Sequence, residues 1–199
     1  MTDEVVFYYN PRSRASIARW MLEEVGAPYR IVNIDFEKGE QRSPDFLAVN
    51  PMGKIPTIVH KDVVVTEAAA IIAYLADAFP AANLAPALDD PARGTYYRWL
   101  VFGASAFEPA LLDTMMKREP VSKMTAGWGD YADVVGALKG ALEKGPYLLG
   151  ERFTAADVYI GAEIGWAMSF GAPNLKGDPV FDTYVARVQE RPAYKKAMG

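Results

Sequence analysis

The hydrophobic and polar positions divide the chain into two parts with different periods. In the first, short apolar runs alternate with amphipathic stretches. Residues 5–9, Val-Val-Phe-Tyr-Tyr, are β-branched and aromatic, which predicts a buried strand. Asn10-Pro11-Arg12 reads as a turn. From Ser13 the apolar positions take helical spacing, with Ile17, Met21 and Val25 on one face, until Gly26 and Pro28 end the pattern. Residues 29–34 read as a second strand, so a parallel βαβ unit with a right-handed crossover is expected. The stretch 36–50 is less regular and holds a short helix with Ser43 as N-cap and Pro44 at its first position. Residues 57–60 and 63–65 read as strands around a tight Lys61-Asp62 turn. An amphipathic helix over 67–79 then points Ile71, Tyr74, Leu75 and Ala78 inward. The order is β-α-β-α-β-β-α.

The second part has no strand pattern. Residues 80–91 carry three prolines, four alanines and two aspartates, a linker composition. Residues 92–117 are apolar nearly all round (Tyr96, Trp99, Leu100, Phe102, Phe107, Leu111, Met115), which predicts a long helix buried from several sides and bent at Gly103 and Pro109. Helices are expected at 129–144, 154–170 and 179–190, with a short one near Ala193. Thr154-Ala155-Ala156-Asp157 has the logic of a capping box, with Phe153 placed to staple against Val158 or Ile160. The organisation is therefore an α/β domain over 1–80, a linker over 81–91 and an all-α domain over 92–199.

Composition narrows the function. Of 199 residues 51% are hydrophobic and 23% charged, so a packed core is expected. The net charge is -4 with no basic run, which disfavours nucleic acid and acidic membranes as partners. No apolar run approaches the ~20 residues of a membrane span. The acidic start, Met1-Thr2-Asp3-Glu4, runs straight into a strand and predicts no signal peptide, hence a cytoplasmic protein. There is no cysteine and only one histidine, His60. A protein thiol is ruled out, and a histidine-based triad or a histidine-rich metal site has almost nothing to be built from, so much of any enzyme chemistry must come from the ligand.

Two stretches carry the candidate chemistry. In Ile55-Pro56-Thr57 a proline stands at a strand edge, where a cis bond would present the Ile55 N–H and C=O to an extended peptide; a trans proline that merely starts an edge strand is the simpler alternative. In Thr66-Glu67-Ala68 a helix begins, with Thr66 as N-cap. The first-turn amides of Glu67, Ala68 and Ala69 suit a carboxylate, and Glu67 suits the adjacent ammonium of an amino-acid head group. Lys54 and Gln41 lie on flanking loops where a second carboxylate could be met. At the start of the first helix, the Ser13 hydroxyl could donate to a ligand thiolate, or serve only as N-cap.

Asn50-Pro51-Met52-Gly53-Lys54-Ile55-Pro56, Thr66-Glu67-Ala68-Ala69-Ala70-Ile71-Ile72-Ala73-Tyr74-Leu75 and Phe153-Thr154-Ala155-Ala156-Asp157 together resemble the cytosolic glutathione S-transferases, in a bacterial-type, serine-like form, over essentially the whole chain. The resemblance implies an α/β thioredoxin-like N-terminal domain and an all-α C-terminal helical domain. It implies that Ile55, before a cis Pro56, pairs with the cysteinyl part of glutathione. Glu67 and Ala68 would hold the γ-glutamyl head group, and Lys54 and Gln41 would lie near the glycyl carboxylate. Most members carry a serine where Ala68 stands, so binding weaker by the ~0.5–1.5 kcal/mol of one hydrogen bond is expected.

Members differ in the side chain that activates the thiol. A Pro-x-Ser pattern matches Pro11-Arg12-Ser13 and nominates Ser13. A serine at the strand end would fall at Asn10, and a tyrosine on the first strand at Tyr8. The family further implies glutathione as co-substrate with no resident cofactor or metal, and a small hydrophobic electrophile held between the domains along the long helix. Trp99, Phe102, Phe107, Met115 and Trp166 are available there, most of them as core. A homodimer across the first two long helices after the linker is implied, in a detoxifying role. Three functions stand side by side: conjugation of glutathione to an electrophile; a glutathione-dependent reductase or isomerase, the former needing two glutathiones; and a glutathione-binding module without catalysis.

Overall fold

A computed structural model describes residues 3–119 and 121–199; the reading of Met1 and Thr2 falls outside them. The chain divides into two compact units, Met1–Asn83 with Pro192–Gly199, and Leu84–Arg191.

The first unit holds a four-stranded sheet. Its elements in order are β1 (Val5–Tyr9), α1 (Ala15–Val25), β2 (Tyr29–Asn33), a 3₁₀ turn at Glu40–Arg42, α2 (Pro44–Val49), β3 (Thr57–His60), β4 (Val63–Thr66) and α3 (Ala68–Ala78). The strands lie in the order β2-β1-β3-β4, with β1 parallel to β2 and the β1–β3 and β3–β4 pairs antiparallel. Strand period sorts β1 onto two faces: Val5, Phe7 and Tyr9 are buried, whereas Tyr8 points the other way and meets Phe46 of α2, ring centres 5.3 Å apart. α1 and α3 pack on one another. α1 buries Trp20 and Leu22 as well as Ile17 and Met21, more than one face of the helix. The hairpin turn is made by Lys61 and Asp62, both with positive φ (50° and 65°), as a two-residue turn between twisted strands requires.

Two helix starts differ from expectation. Ser13 is not the cap of α1; Arg14 occupies that position with no side-chain capping bond, and Ser13 lies one residue earlier, in the turn. Thr66 does not cap α3. The β3–β4 ladder runs on to a Thr57–Thr66 pair, and the chain turns into the helix at Glu67, whose φ of 63° and ψ of 122° are rare for a side-chain-bearing residue. α3 buries Ile72 and Ala76 beside Ile71 and Leu75, while Tyr74 is half-buried, its hydroxyl 2.8 Å from His60 Nδ1.

The second unit is helical: α4 (Ala92–Phe102), α5 (Glu108–Met115), α6 (Tyr131–Leu142), α7 (Ala155–Ser169) and α8 (Pro179–Gln189). The expected long helix runs without interruption from Ala92 to Met115, and in place of a simple bend it carries a π-helical stretch, Gly103–Phe107, just before Pro109, which has no N–H to give to the ladder. Gly103 is required here, since a Cβ would stand 2.6 Å from the Tyr159 ring. The capping box at Thr154 and Asp157 is formed, and Asp157 also accepts from Leu148 N–H and Tyr184 O–H. Phe153 is packed by the rings of Tyr147 and the guanidinium of Arg191, 3.6 Å from its centre. The last helix, α9 (Pro192–Met198), is not part of the helical unit; it belongs to the first, on α1.

Candidate functional site

Strand directions bring the candidate residues to one edge of the sheet. Because β1, β2 and β4 run one way and β3 the other, the ends of β1 and β4 share an edge with the start of β3. Tyr8 pairs with Thr57, and Thr57 pairs in turn with Thr66. Asn10, Pro56 and Glu67, each one residue beyond those strands, therefore gather there. This is also the carboxyl edge at which open α/β sheets take their ligands.

The turn from β1 to α1 is closed by its own side chains. Asn10 is buried; its Nδ2 donates to Ile34 O (2.7 Å), and its Oδ1 accepts from Arg12 N (2.9 Å). Asn10 thus ties the end of β1 to the end of β2. Ser13 Oγ donates to Asn10 O (2.7 Å) and accepts from Ala15 N (3.2 Å). Its proton faces a carbonyl, so donation to a thiolate requires it to swing off that acceptor. Tyr8 keeps its ring on Phe46.

The loop before β3 is organised by residues to which the sequence reading gave no role. Asn50 is buried and donates from Nδ2 to Lys54 O (2.8 Å) and Thr57 Oγ1 (3.1 Å), while its Oδ1 accepts from Met52 N (3.1 Å). Thr57 Oγ1 donates to the same Lys54 carbonyl (2.9 Å). Gly53, at a φ of 62°, lies so close to the 3₁₀ turn that a Cβ would be 2.6 Å from Gln41 O. That contact places Gln41 beside the residue preceding Lys54, and Gln41 Oε1 is buried without a hydrogen-bond partner. Asn-Pro is a turn signal in the sequence, but nothing in it says which carbonyl the Asn50 amide will meet.

The Ile55-Pro56 peptide is cis. Among the described residues the Ile55 N–H and C=O make no backbone hydrogen bond, so both can pair with an extended ligand strand. Across the edge α3 begins at Ala68, which puts the unpaired amides one residue later than expected, on Ala68, Ala69 and Ala70. Glu67 stands exposed at the cap and Lys54 exposed on the loop. The edge offers strand-like pairing in the middle, amides and an acid for an amino-acid head group on one side, and a cation for a carboxylate on the other. Among the described residues no group of three or more His, Cys, Asp and Glu side chains is placed to hold a metal, and no helix is long and apolar enough to cross a membrane.

Comparison with known proteins agrees with this fold. The family pattern described as "Glutathione S-transferase, N-terminal domain" matches residues 4–77. Glutathione S-transferase 2 of Schizosaccharomyces pombe is 31% identical, over 88% of this chain and 79% of its own. The crystal structure of a glutathione transferase from Methylococcus capsulatus superposes with a TM-score of 0.81 at 30% identity, covering 98% of this chain and 97% of that one. A glutathione transferase homologue from Sulfitobacter, solved with bound glutathione, matches with a TM-score of 0.77 at 26% identity, over 98% of this chain and 97% of its own. The chain belongs to the glutathione S-transferase family: a thioredoxin-like domain followed by a helical part, in an enzyme.

Proposed function

We propose that this enzyme joins the thiolate of glutathione to small hydrophobic electrophiles. The observation that carries the reading is the meeting, at one sheet edge, of an unpaired Ile55 backbone, the open start of α3 with Glu67, and the Asn10–Ser13 turn. The tripeptide lies along Ile55 before Pro56, its γ-glutamyl head on Glu67 and the Ala68 amide, its glycyl carboxylate toward Lys54 and Gln41. Ala68 offers an amide and no hydroxyl, so the head group is held less firmly by about one hydrogen bond. Ser13 turns its hydroxyl from Asn10 O to the thiolate. Asn10, whose amide is already spent on Ile34, and Tyr8 stand behind it.

The electrophile is bound by apolar side chains of the helical unit, which leaves Met115 and Phe170 partly open to solvent. Glutathione is a co-substrate, consumed in the reaction, and holding both partners close supplies the rate. Homodimer formation is supported by α4, which exposes Tyr97 and Val101 one turn apart. Calorimetry with glutathione, followed by initial rates on a panel of aryl halides, epoxides and disulfides, tests the proposal. Conjugates of the first two support it. Turnover of disulfides alone would make the enzyme a glutathione-dependent reductase, and binding without turnover would make it a non-catalytic module.

A further inference from the structure

The C-terminal helix carries a second set of polar contacts that the proposed chemistry does not use. Lys196 of α9, its side chain 72% exposed, places Nζ 2.6 Å from Oε2 of Glu23, whose side chain is only 8% exposed. The other Glu23 oxygen accepts from the Tyr29 hydroxyl (2.6 Å). Burial acts to raise the Glu23 carboxyl, yet Lys196, Tyr29 and Arg19 together hold it below its usual range. One turn back on α1, Arg19 lies over the Tyr9 ring, 5.6 Å from its centre, and hydrogen bonding to Tyr9 raises its pKa. Tyr9 is the last residue of β1 and is followed by Asn10. Tyr194 of α9 meets the fully buried Trp20 edge-on at 4.9 Å, and Ala197 of the same helix is buried.

α9 has seven residues, too few for a helix to be stable on its own, so contacts with other elements hold it. An ion pair to a largely buried acid and an aromatic contact tie it to α1. That helix carries the Asn10–Ser13 turn at its other end. A buried carboxylate without its cation is costly, so Glu23 keeps α9 in place as much as α9 keeps α1.

We infer that α9 is a clamp on α1, and that Lys196, through Glu23, and Tyr194, through Trp20, are positioning residues for the turn that presents Ser13. This inference rests on the proposed glutathione site for its functional consequence, but its structural half stands alone.

The test uses the full chain with Lys196→Met, which keeps the packing stem and removes the charge, Lys196→Arg as the conservative rescue, and Tyr194→Leu. Two readouts are taken. The first is hydrogen exchange of the α1 amides; the second is the ultraviolet titration of bound glutathione together with kcat and KM for both substrates. The clamp predicts α1 exchange about tenfold faster in Lys196→Met and Tyr194→Leu. It also predicts a higher thiol pKa, with kcat down about three- to tenfold, KM for the electrophile unchanged, and Lys196→Arg near the parent. Unchanged α1 exchange overturns the inference. Faster exchange with an unmoved thiol pKa and kcat overturns its positioning half and leaves α9 a purely structural strap. If the parent binds no glutathione, the glutathione reading fails and α1 exchange alone decides the clamp. Should Lys196→Met fail to fold, Tyr194→Leu carries the same comparison.

Discussion

Asn50 is the residue on which the candidate site's loop depends, and its replacement separates donor chemistry from packing. Its side chain makes three hydrogen bonds, at 2.8, 3.1 and 3.1 Å, from a buried position. Asn50→Ala removes all three and leaves the Met52 N–H without its acceptor, while Thr57 still donates to Lys54 O. At ~0.5–1.5 kcal/mol per bond the loss is about 2–4 kcal/mol. In a chain of this length that corresponds to a fall in Tm of roughly 5–15 °C. Asn50→Asp is nearly isosteric and keeps the Met52 bond, but it loses both donors and sets a carboxylate against the Lys54 carbonyl. It is therefore expected to be at least as damaging as alanine. Urea unfolding followed by tryptophan fluorescence gives the stabilities. Calorimetry gives the glutathione affinity, expected to fall about tenfold in both variants as Lys54 and Ile55 lose their support, a change of about 1.4 kcal/mol. An Asn50→Asp protein with the parent's stability and affinity would refute the argument.

Three further outcomes follow from particular residues. Glu67→Gly releases a strained φ of 63° and should stabilise the fold by about 1 kcal/mol while weakening glutathione binding at least tenfold; Glu67→Gln keeps the strain and shows the binding loss alone, and a destabilised Glu67→Gly seen in urea would count against the strain. Asp62→Gly, at an exposed turn position with φ 65°, should raise stability by about 0.5–1 kcal/mol in the same assay, and no gain would show that the turn is unstrained. Asp157 is pushed from its ordinary 3.8 up to about 6, because its burial outweighs the four hydrogen bonds it accepts. A raised pKa gives stability that is present below about pH 4 and lost as pH climbs through about 6, so the parent should lose about 3 kcal/mol relative to Asp157→Asn between those values. A flat difference between the two unfolding curves over that range would contradict the assignment.

The elements with strong local signals were legible in the residues. β1, the Lys61-Asp62 hairpin, the capping box at Thr154 and the α/β-then-helical order all rest on period, turn chemistry or caps acting within a few residues. Legibility failed where the local signal fits two conformations or a partner elsewhere in the chain decides. Ser13 reads as a helix cap, but its hydroxyl serves the turn, donating to Asn10 O and accepting from Ala15 N, and the helix starts two residues later. Thr66 reads as a cap, but Thr57 draws it into the ladder and leaves the turn to Glu67. Asn50 shows a turn and hides its acceptors. α9 is short and carries no signal that Tyr194 and Lys196 will find Trp20 and Glu23 at the other end of the chain. The three motifs identified the family because their spacing is specific even where each alone is weak.

The central claim is that this sheet edge binds glutathione and lowers the pKa of its thiol. Ultraviolet titration of glutathione bound to the parent and to Ser13→Ala measures this directly. The account predicts a bound thiol about two units below the free value of ~8.5, a stabilisation of ~2.7 kcal/mol, most of it lost in Ser13→Ala. A bound thiol that titrates like the free one would contradict the account, and a shift that survives Ser13→Ala would assign the activation to Asn10 or Tyr8 instead.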